Sequence, residues 1–279
     1  MTVAIIMTVF NRLDKTKRCL NDLEIALKDT EHVYYITNDG STDGTAEYLG
    51  QLTDIDCKIY NGTGDLFWNR GMYFSYENAL KNKYDFYLWV NNDTTFYSNA
   101  WEQLMNDYSA AKRINEFSVI CGSVQSEVSK EATYGGTNEK GLISPTGKIV
   151  ECTHINGNCL LIPSIVAQKI GNLDFRFEHG LGDFDYGQRI LSAGGKLYAS
   201  SMFVGTCEKN KVEGTWKDKN LSPLKRISLM RKKTGQPRKS YRIYLRKWNK
   251  KNWLLYYYKP YFDIWMDAIK SLLSKEEYR

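Results

Sequence analysis

Four carboxylates and a group of amides stand where this sequence could do chemistry. Asp39 lies in ITNDGSTDGT, after an apolar run and ahead of glycine and small hydroxyls. An acid in that place can hydrogen-bond a ribose hydroxyl or the imide N–H of a pyrimidine. Asp93 closes the polar half of YLWVNNDTTF, beside Asn91 and Asn92. A carboxylate among amides suits a hard divalent cation that keeps several waters and bridges phosphates. Asp183 and Asp185 flank Phe184 in HGLGDFDYGQR. On a helix start they project differently, so one can serve as general base while the other caps or packs the helix. In GTGDLFWNRGM, Trp68 can stack on a base or a sugar face, while Asn69 and Arg70 open a helix. An Arg at a helix N-terminus suits a diphosphate. Each piece alone also reads as a turn or a core anchor, since Asn, Asp and Gly close strands cheaply.

The elements around these residues must bring them together. VAIIMTVF, HVYYITNDG, CKIYNG and YDFYLWVNND read as strands. Helices are expected at 12–28, from Asp43 with Ser41 or Asp43 as N-cap, at 70–82 and at 98–112. This alternation predicts an α/β fold, a mostly parallel central sheet flanked by helices. Ligands then bind beyond the carboxyl ends of the strands. The polar clusters at 8–12, 38–41 and 91–94 would crowd one rim. Further on, SVICGSV, NCLLIP and KLYASSMFVG read as strands, and 126–148 as loop or hairpin. LGDFDYGQRILSAGG contains a helix stopped by Gly194 and Gly195. From 221 the chain reads as basic, aromatic and helical, with Pro223, Gly235-Gln-Pro237 and Pro260 as breaks.

Composition narrows the classes. A hydrophobic fraction of 42% and a charged fraction of 25% fit an ordinary globular protein. No uninterrupted apolar run reaches the roughly 18 residues of a membrane span. MTVAIIMTVF lacks a basic lead and a cleavage site, which predicts a protein that is not secreted. The six cysteines form no C-x-x-C pair and read as reduced core residues of a cytoplasmic protein. The three histidines have no zinc spacing.

The net charge of +6 is unevenly spread. Residues 209–279 hold 20 Lys and Arg against 6 Asp and Glu, so the remainder is mildly acidic. A basic tail predicts an anionic partner: a membrane surface, nucleic acid or an acidic substrate. RKKTGQPRKSYR and RKWNKKNWLLYYYKPYF interleave cations with Trp and Tyr. That mixture favours peripheral contact with an anionic membrane, at the inner face of the cell membrane. A solvated helical face or a homo-oligomer contact is the plainer alternative.

Assembled, these pieces resemble the family-2 glycosyltransferases of GT-A fold. TVFNR (8–12), NDGSTDGT (38–45), the aromatic-Asn-x-Gly element (68–71), VNNDT (90–94) and GDFDYGQR (182–189) follow that family's order and rough spacing. The resemblance covers about residues 1–210 and is greatest to rhamnosyltransferase-type enzymes of bacterial surface polysaccharides, capsule or O-antigen. It implies a GT-A domain at 1–210 and a basic, helical extension at 211–279. It also implies inverting transfer from a nucleotide-sugar donor, UDP- or dTDP-linked, to a saccharide or lipid-linked acceptor, with no nucleic-acid partner. Thr8, Phe10 and Arg12 would line the nucleotide pocket, and Asp39 would bind the base or ribose. Trp68, Asn69 and Arg70 would lie against the donor. Asn91, Asn92 and Asp93 would stand at the metal element, with Asp93 the ligand of Mg2+ or Mn2+. Asp183 would be the catalytic base, and Arg189 matches an Arg that often follows it. Two departures stand out: Asn91 replaces the first acid of the metal element, and Cys207 stands where many relatives have His. Two other readings stay open: a carbohydrate-binding or scaffold protein on a weak or inactive transferase fold, and a nucleic-acid binder acting through the tail.

Overall fold

Apolar continuity decides where the central strands lie. The computed structural model describes residues 1–276. In β1 (Thr2–Val9), Val3 to Met7 are wholly buried, as a strand covered on both faces requires. The chain continues through α1 (Leu13–Ala26), β2 (Glu31–Asn38), α2 (Thr45–Gly50), β3 (Cys57–Asn61), α3 (Phe67–Ala79) and β4 (Phe86–Asn91). Next come β5 (Thr95–Phe96), α4 (Ala100–Ile114), β6 (Ser118–Gln125) and β7 (Ala132–Tyr134). The small strands β8 (Thr137–Asn138) and β9 (Gly141–Leu142) lie, with β7, in the segment read as loop or hairpin, and β10 (Val150–Glu151) follows it. Then follow β11 (Cys159–Pro163), α5 (Ser164–Ile170), α6 (Gly182–Ser192) and β12 (Lys196–Thr206).

The main sheet runs β10-β12-β6-β11-β4-β1-β2-β3. β4, β1, β2 and β3 are parallel, as are β12 and β6, while β11 runs antiparallel between β4 and β6. Side chains alternate across β1. Val3, Ile5, Met7 and Val9 join a core with Leu20 and Leu23 of α1 and Leu104 of α4. Ala4 and Ile6 face a second core with Met72 and Tyr76 of α3 and Ile190 of α6. Helices therefore cover both faces of an α/β sheet.

The chain divides into two compact units, Met1–Phe175 with Gly182–Lys209, and Arg176–Leu181 with Asn210–Arg279. The second contains α7 (Pro223–Met230), α8 (Arg238–Trp248) and α9 (Trp253–Glu276). The prolines read as breaks behave differently here. Pro223 opens α7 behind the Ser222 cap, and Pro237 is the N-cap residue of α8. Pro260 breaks nothing; it lies inside α9. A helical proline orphans the carbonyl four residues earlier. That carbonyl, on Tyr256, accepts the Tyr241 hydroxyl of α8 at 3.0 Å.

Candidate active site

The parallel register sets Val9 beside Asn38 and Thr8 beside Asn91, so the strand-end clusters meet at one rim. The β1–α1 turn is unusual. Asn11 and Arg12 are successive non-glycine residues at φ 56° and 67°. Such conformations cost about 1–3 kcal/mol each and persist only where neighbours enforce them. Here the Asn11 N–H donates to Ser41 Oγ at 2.8 Å, and Asn11 Oδ1 accepts the Thr42 N–H at 2.8 Å. Asp43, read as an N-cap of α2, sits one residue before the N-cap Gly44. It accepts the Thr45 N–H and hydroxyl on one oxygen, and on the other the Leu13 N–H that opens α1. The two loops are thereby stitched together. The turn delivers Arg12 to Asp93, Nη1 to Oδ2 at 2.7 Å.

Asp39 is only 3% exposed. Its Oδ1 accepts the Gly64 N–H at 2.8 Å, and Oδ2 accepts those of Leu66 and Phe67 at 3.0 Å each. Leu66 is the N-cap residue of α3 and Phe67 its first residue, so this anion sits at a helix N-terminus. A Cβ on Gly62 would fall 2.5 Å from Asp39 Oδ1, which requires glycine there. The expected nucleotide ligand is thus also the organiser of the 62–67 loop. A carboxylate offers about four lone-pair directions, so room for one further donor remains.

Trp68, Asn69 and Arg70 occupy the first turn of α3. Trp68 donates Nε1–H to Asn91 Oδ1 at 2.6 Å. Buried Asn69 donates to the Asp174 carbonyl at 3.0 Å, and Arg70 to that of Phe175 at 3.3 Å. Thr8 donates to the Thr37 carbonyl at 3.2 Å and lies under Gly71, whose Cβ would fall 2.1 Å from its hydroxyl. Phe10 is 54% exposed beyond the end of β1. Of these five residues, Phe10 presents its side chain to solvent most openly, while Thr8, Asn69 and Arg70 also brace the scaffold.

The two acids of α6 have different surroundings. Asp185 is fully buried and paired to Arg189 Nε at 3.0 Å. Arg189 also donates to the carbonyls of Ile170 and Asn172, at 2.8 Å each, and so ties α6 to the end of α5. Asp183 is partly exposed. Its oxygens accept the Gly157 N–H at 3.3 Å and the Phe184 N–H at 2.9 Å. Loss of water raises its pKa to about 6, against the lowering effect of those N–H groups. A carboxylate so raised is a stronger base than an exposed one and remains ionised at neutral pH.

Three residues that sequence reasoning missed connect the site. Asn158 Oδ1 accepts from Asn91 at 3.1 Å. Gly157 carries the N–H that holds Asp183, and a Cβ there would fall 2.1 Å from the Trp68 ring. A Cβ on Gly182 would fall 1.6 Å from Asn69 Oδ1. Gly182 lets α6 approach α3, Gly157 lets the segment before β11 do so, and the N-G-N and G-L-G-D strings were the available signal. Gly157→Ala is expected to cost about 1–3 kcal/mol through overpacking and to lower turnover by displacing Trp68. Thermal melts and initial rates on the purified variant check this.

The model of "Glycosyl transferase family 2" matches residues 4–157, more than half of the chain and four of the rim segments. The chain belongs to glycosyl transferase family 2. The sheet is similar to that of GalNAc-T7, whose crystal structure holds UDP, GalNAc and Mn2+, with a TM-score of 0.56 at 13% identity. That match covers 76% of this chain but 44% of GalNAc-T7, so this chain spans less than half of that protein. Similarity to S. aureus TarS has a TM-score of 0.53 at 10% identity, over 90% of this chain and 74% of the other. None of the curated proteins compared matches in sequence. The fold is GT-A.

The transferase's donor set for a metal is spare. Among the described residues, no group of three or more His, Cys, Asp or Glu is arranged to hold one. Asn91 both accepts from Trp68 and donates to Asn158, which an acid could not do. The Asn92 side-chain N–H donates to Thr16 Oγ1 at 2.9 Å. Burial, with Asp93 nearby, pushes the Cys207 thiol up to about 12, so it offers no thiolate. Asp93 remains, with Oδ2 against Arg12. These residues fit a cation that arrives already coordinated by phosphates and water, and not one held by the protein alone.

Proposed function

We propose that this family-2 transferase moves a sugar from a UDP- or dTDP-sugar to a hydroxyl of a saccharide or lipid-linked acceptor, with inversion. The observation that carries the reading is the partly exposed Asp183, raised toward neutrality and held by Gly157 beside the Trp68 face. Asp183 takes the proton of the acceptor hydroxyl. That oxygen bonds to the anomeric carbon as the carbon–oxygen bond to the diphosphate breaks, and the bonding pair leaves with the nucleoside diphosphate. One base suffices because no covalent intermediate forms. Phe10 and the remaining lone pair of Asp39 meet the nucleoside, and Trp68 with the start of α3 meets the sugar and diphosphate. Arg12 releases Asp93 and turns its charge to the phosphates. A Mg2+ or Mn2+ ion entering with the donor on Asp93 would neutralise charge on the leaving diphosphate.

The resemblance to surface-polysaccharide enzymes supports a role in capsule or O-antigen synthesis at the cytoplasmic face of the membrane. Residues 1–210 carry the chemistry, and the basic extension at 211–279 meets the anionic membrane. A thermal-shift screen against UDP- and dTDP-sugars tests the donor class. Stabilisation by members of one nucleotide class is expected, and no response to any of them overturns the proposal. Mn2+ binding followed by electron paramagnetic resonance tests Asp93 without turnover. Free protein is expected to bind Mn2+ weakly, Arg12→Ala more tightly, and Asp93→Ala not at all.

A further inference from the structure

We infer that α9 is an in-plane membrane-docking helix, laying one apolar face into the interface of an anionic lipid bilayer. Leu254, Leu255, Tyr258, Phe262, Trp265 and Ile269 are all exposed on this helix. Phe262 reaches 64% and Leu255 69% exposure. At 3.6 residues per turn these six positions fall within an arc of about 100°. Leu273, also exposed, extends the same stripe. A flanking side is occupied: Tyr257 and Ile264 are buried, and α9 packs on α7 and α8. Tyr241 satisfies the carbonyl freed by Pro260, so the stripe runs past that proline without a break.

Charge identifies the occupant. Asp263 is paired to Lys259, and Asp267 to both Lys219 and Arg226. Lys250, Lys251, Lys259 and Lys270 are exposed around the helix, and Lys239, Arg242 and Arg246 are exposed on α8. With 20 basic against 6 acidic residues in 209–279, a second copy of this surface would bring like charge to like. A bilayer of anionic lipid offers the opposite charge beside an apolar interior. Lysine stems reach headgroups while their carbons cover apolar surface, and Trp and Tyr favour the interface. No described helix is long and apolar enough to cross a membrane, so α9 lies on the bilayer. An apolar face and a polybasic surround supply the two signals that stable attachment takes.

This deepens the membrane part of the proposed function, and its test reads lipid binding without any sugar transfer. The full chain is floated with vesicles of phosphatidylcholine and phosphatidylglycerol, and with phosphatidylcholine alone. Wild type is expected to float with the anionic vesicles, and at least about tenfold less with neutral ones or in high salt. The double variants Phe262→Asp/Trp265→Asp and Leu255→Asp/Tyr258→Asp are each expected to lose flotation at least about tenfold. Their circular dichroism should stay unchanged, because these side chains are exposed. Failure of wild type to float at low salt, or variants that float as wild type does, overturns the inference. Light scattering that shows the variants turning an oligomer into a monomer, with flotation unchanged, assigns the face to a second copy instead. Either failure leaves the role proposed for Asp183 standing.

Discussion

Asp183→Asn is expected to lower turnover by about 10²–10⁴ while leaving donor affinity within a few-fold of wild type. Asparagine keeps the shape and can still accept one of the two N–H groups, from Gly157 or Phe184, which reach different oxygens of the carboxylate. What it cannot do is take a proton. The pH profile carries the same signature. The base works deprotonated, so wild-type rate should fall about tenfold per pH unit below the carboxyl's pKa of about 6 and level off above it. Stability moves the other way. The folded pKa lies above the unfolded value, so the fold favours the protonated acid, and ionisation weakens it as pH rises from about 4 to about 6. Relative to wild type, Asp183→Asn should therefore gain melting temperature as pH rises from about 4 to about 6 and hold that gain to about pH 8. Rates, donor titrations and melts on one preparation separate these outcomes. Turnover within a few-fold of wild type removes Asp183 from the mechanism.

Asp39→Ala is expected to cost at least about 3 kcal/mol, because three backbone N–H groups lose an ionised acceptor. At about 2–4 °C per kcal/mol for a chain of this order, the melting temperature should fall by roughly 6–12 °C. Donor binding should weaken as well, since the loop from Gly62 to the start of α3 loses its anchor. Asp39→Asn should recover little, because its amide would turn donor hydrogens toward donor N–H groups. Full stability with donor binding alone lost would show that the carboxylate serves only as a ligand.

The rim was legible in the sequence because parallel strands put their carboxyl ends together. Apolar runs ending in Asn38-Asp39 and Asn91-Asn92-Asp93 therefore had to converge. What each polar residue does there was less legible. Asp39 looks alike in sequence whether it greets a ribose or holds three N–H groups, since those donors lie 25 to 28 residues away. Asn91 looked like a lost acid; its need to donate to Asn158, 67 residues on, explains the amide. The antiparallel course of β11 carried no local signal, because an apolar run such as CLLIP suits either direction. Pro260 read as a break because its remedy, the Tyr241 hydroxyl, belongs to another helix. The apolar stripe of α9 was hidden in the same way, since only packing shows which face is covered.

The most direct measurement is release of nucleoside diphosphate from a panel of UDP- and dTDP-sugars, with Mn2+ and an acceptor saccharide, by wild type and by Asp183→Asn. Wild type should release one nucleotide, coupled to product of inverted anomeric configuration, and Asp183→Asn should bind the same donor without releasing it. Equal release by both proteins, or a product of retained configuration, would contradict a single-base transfer at Asp183.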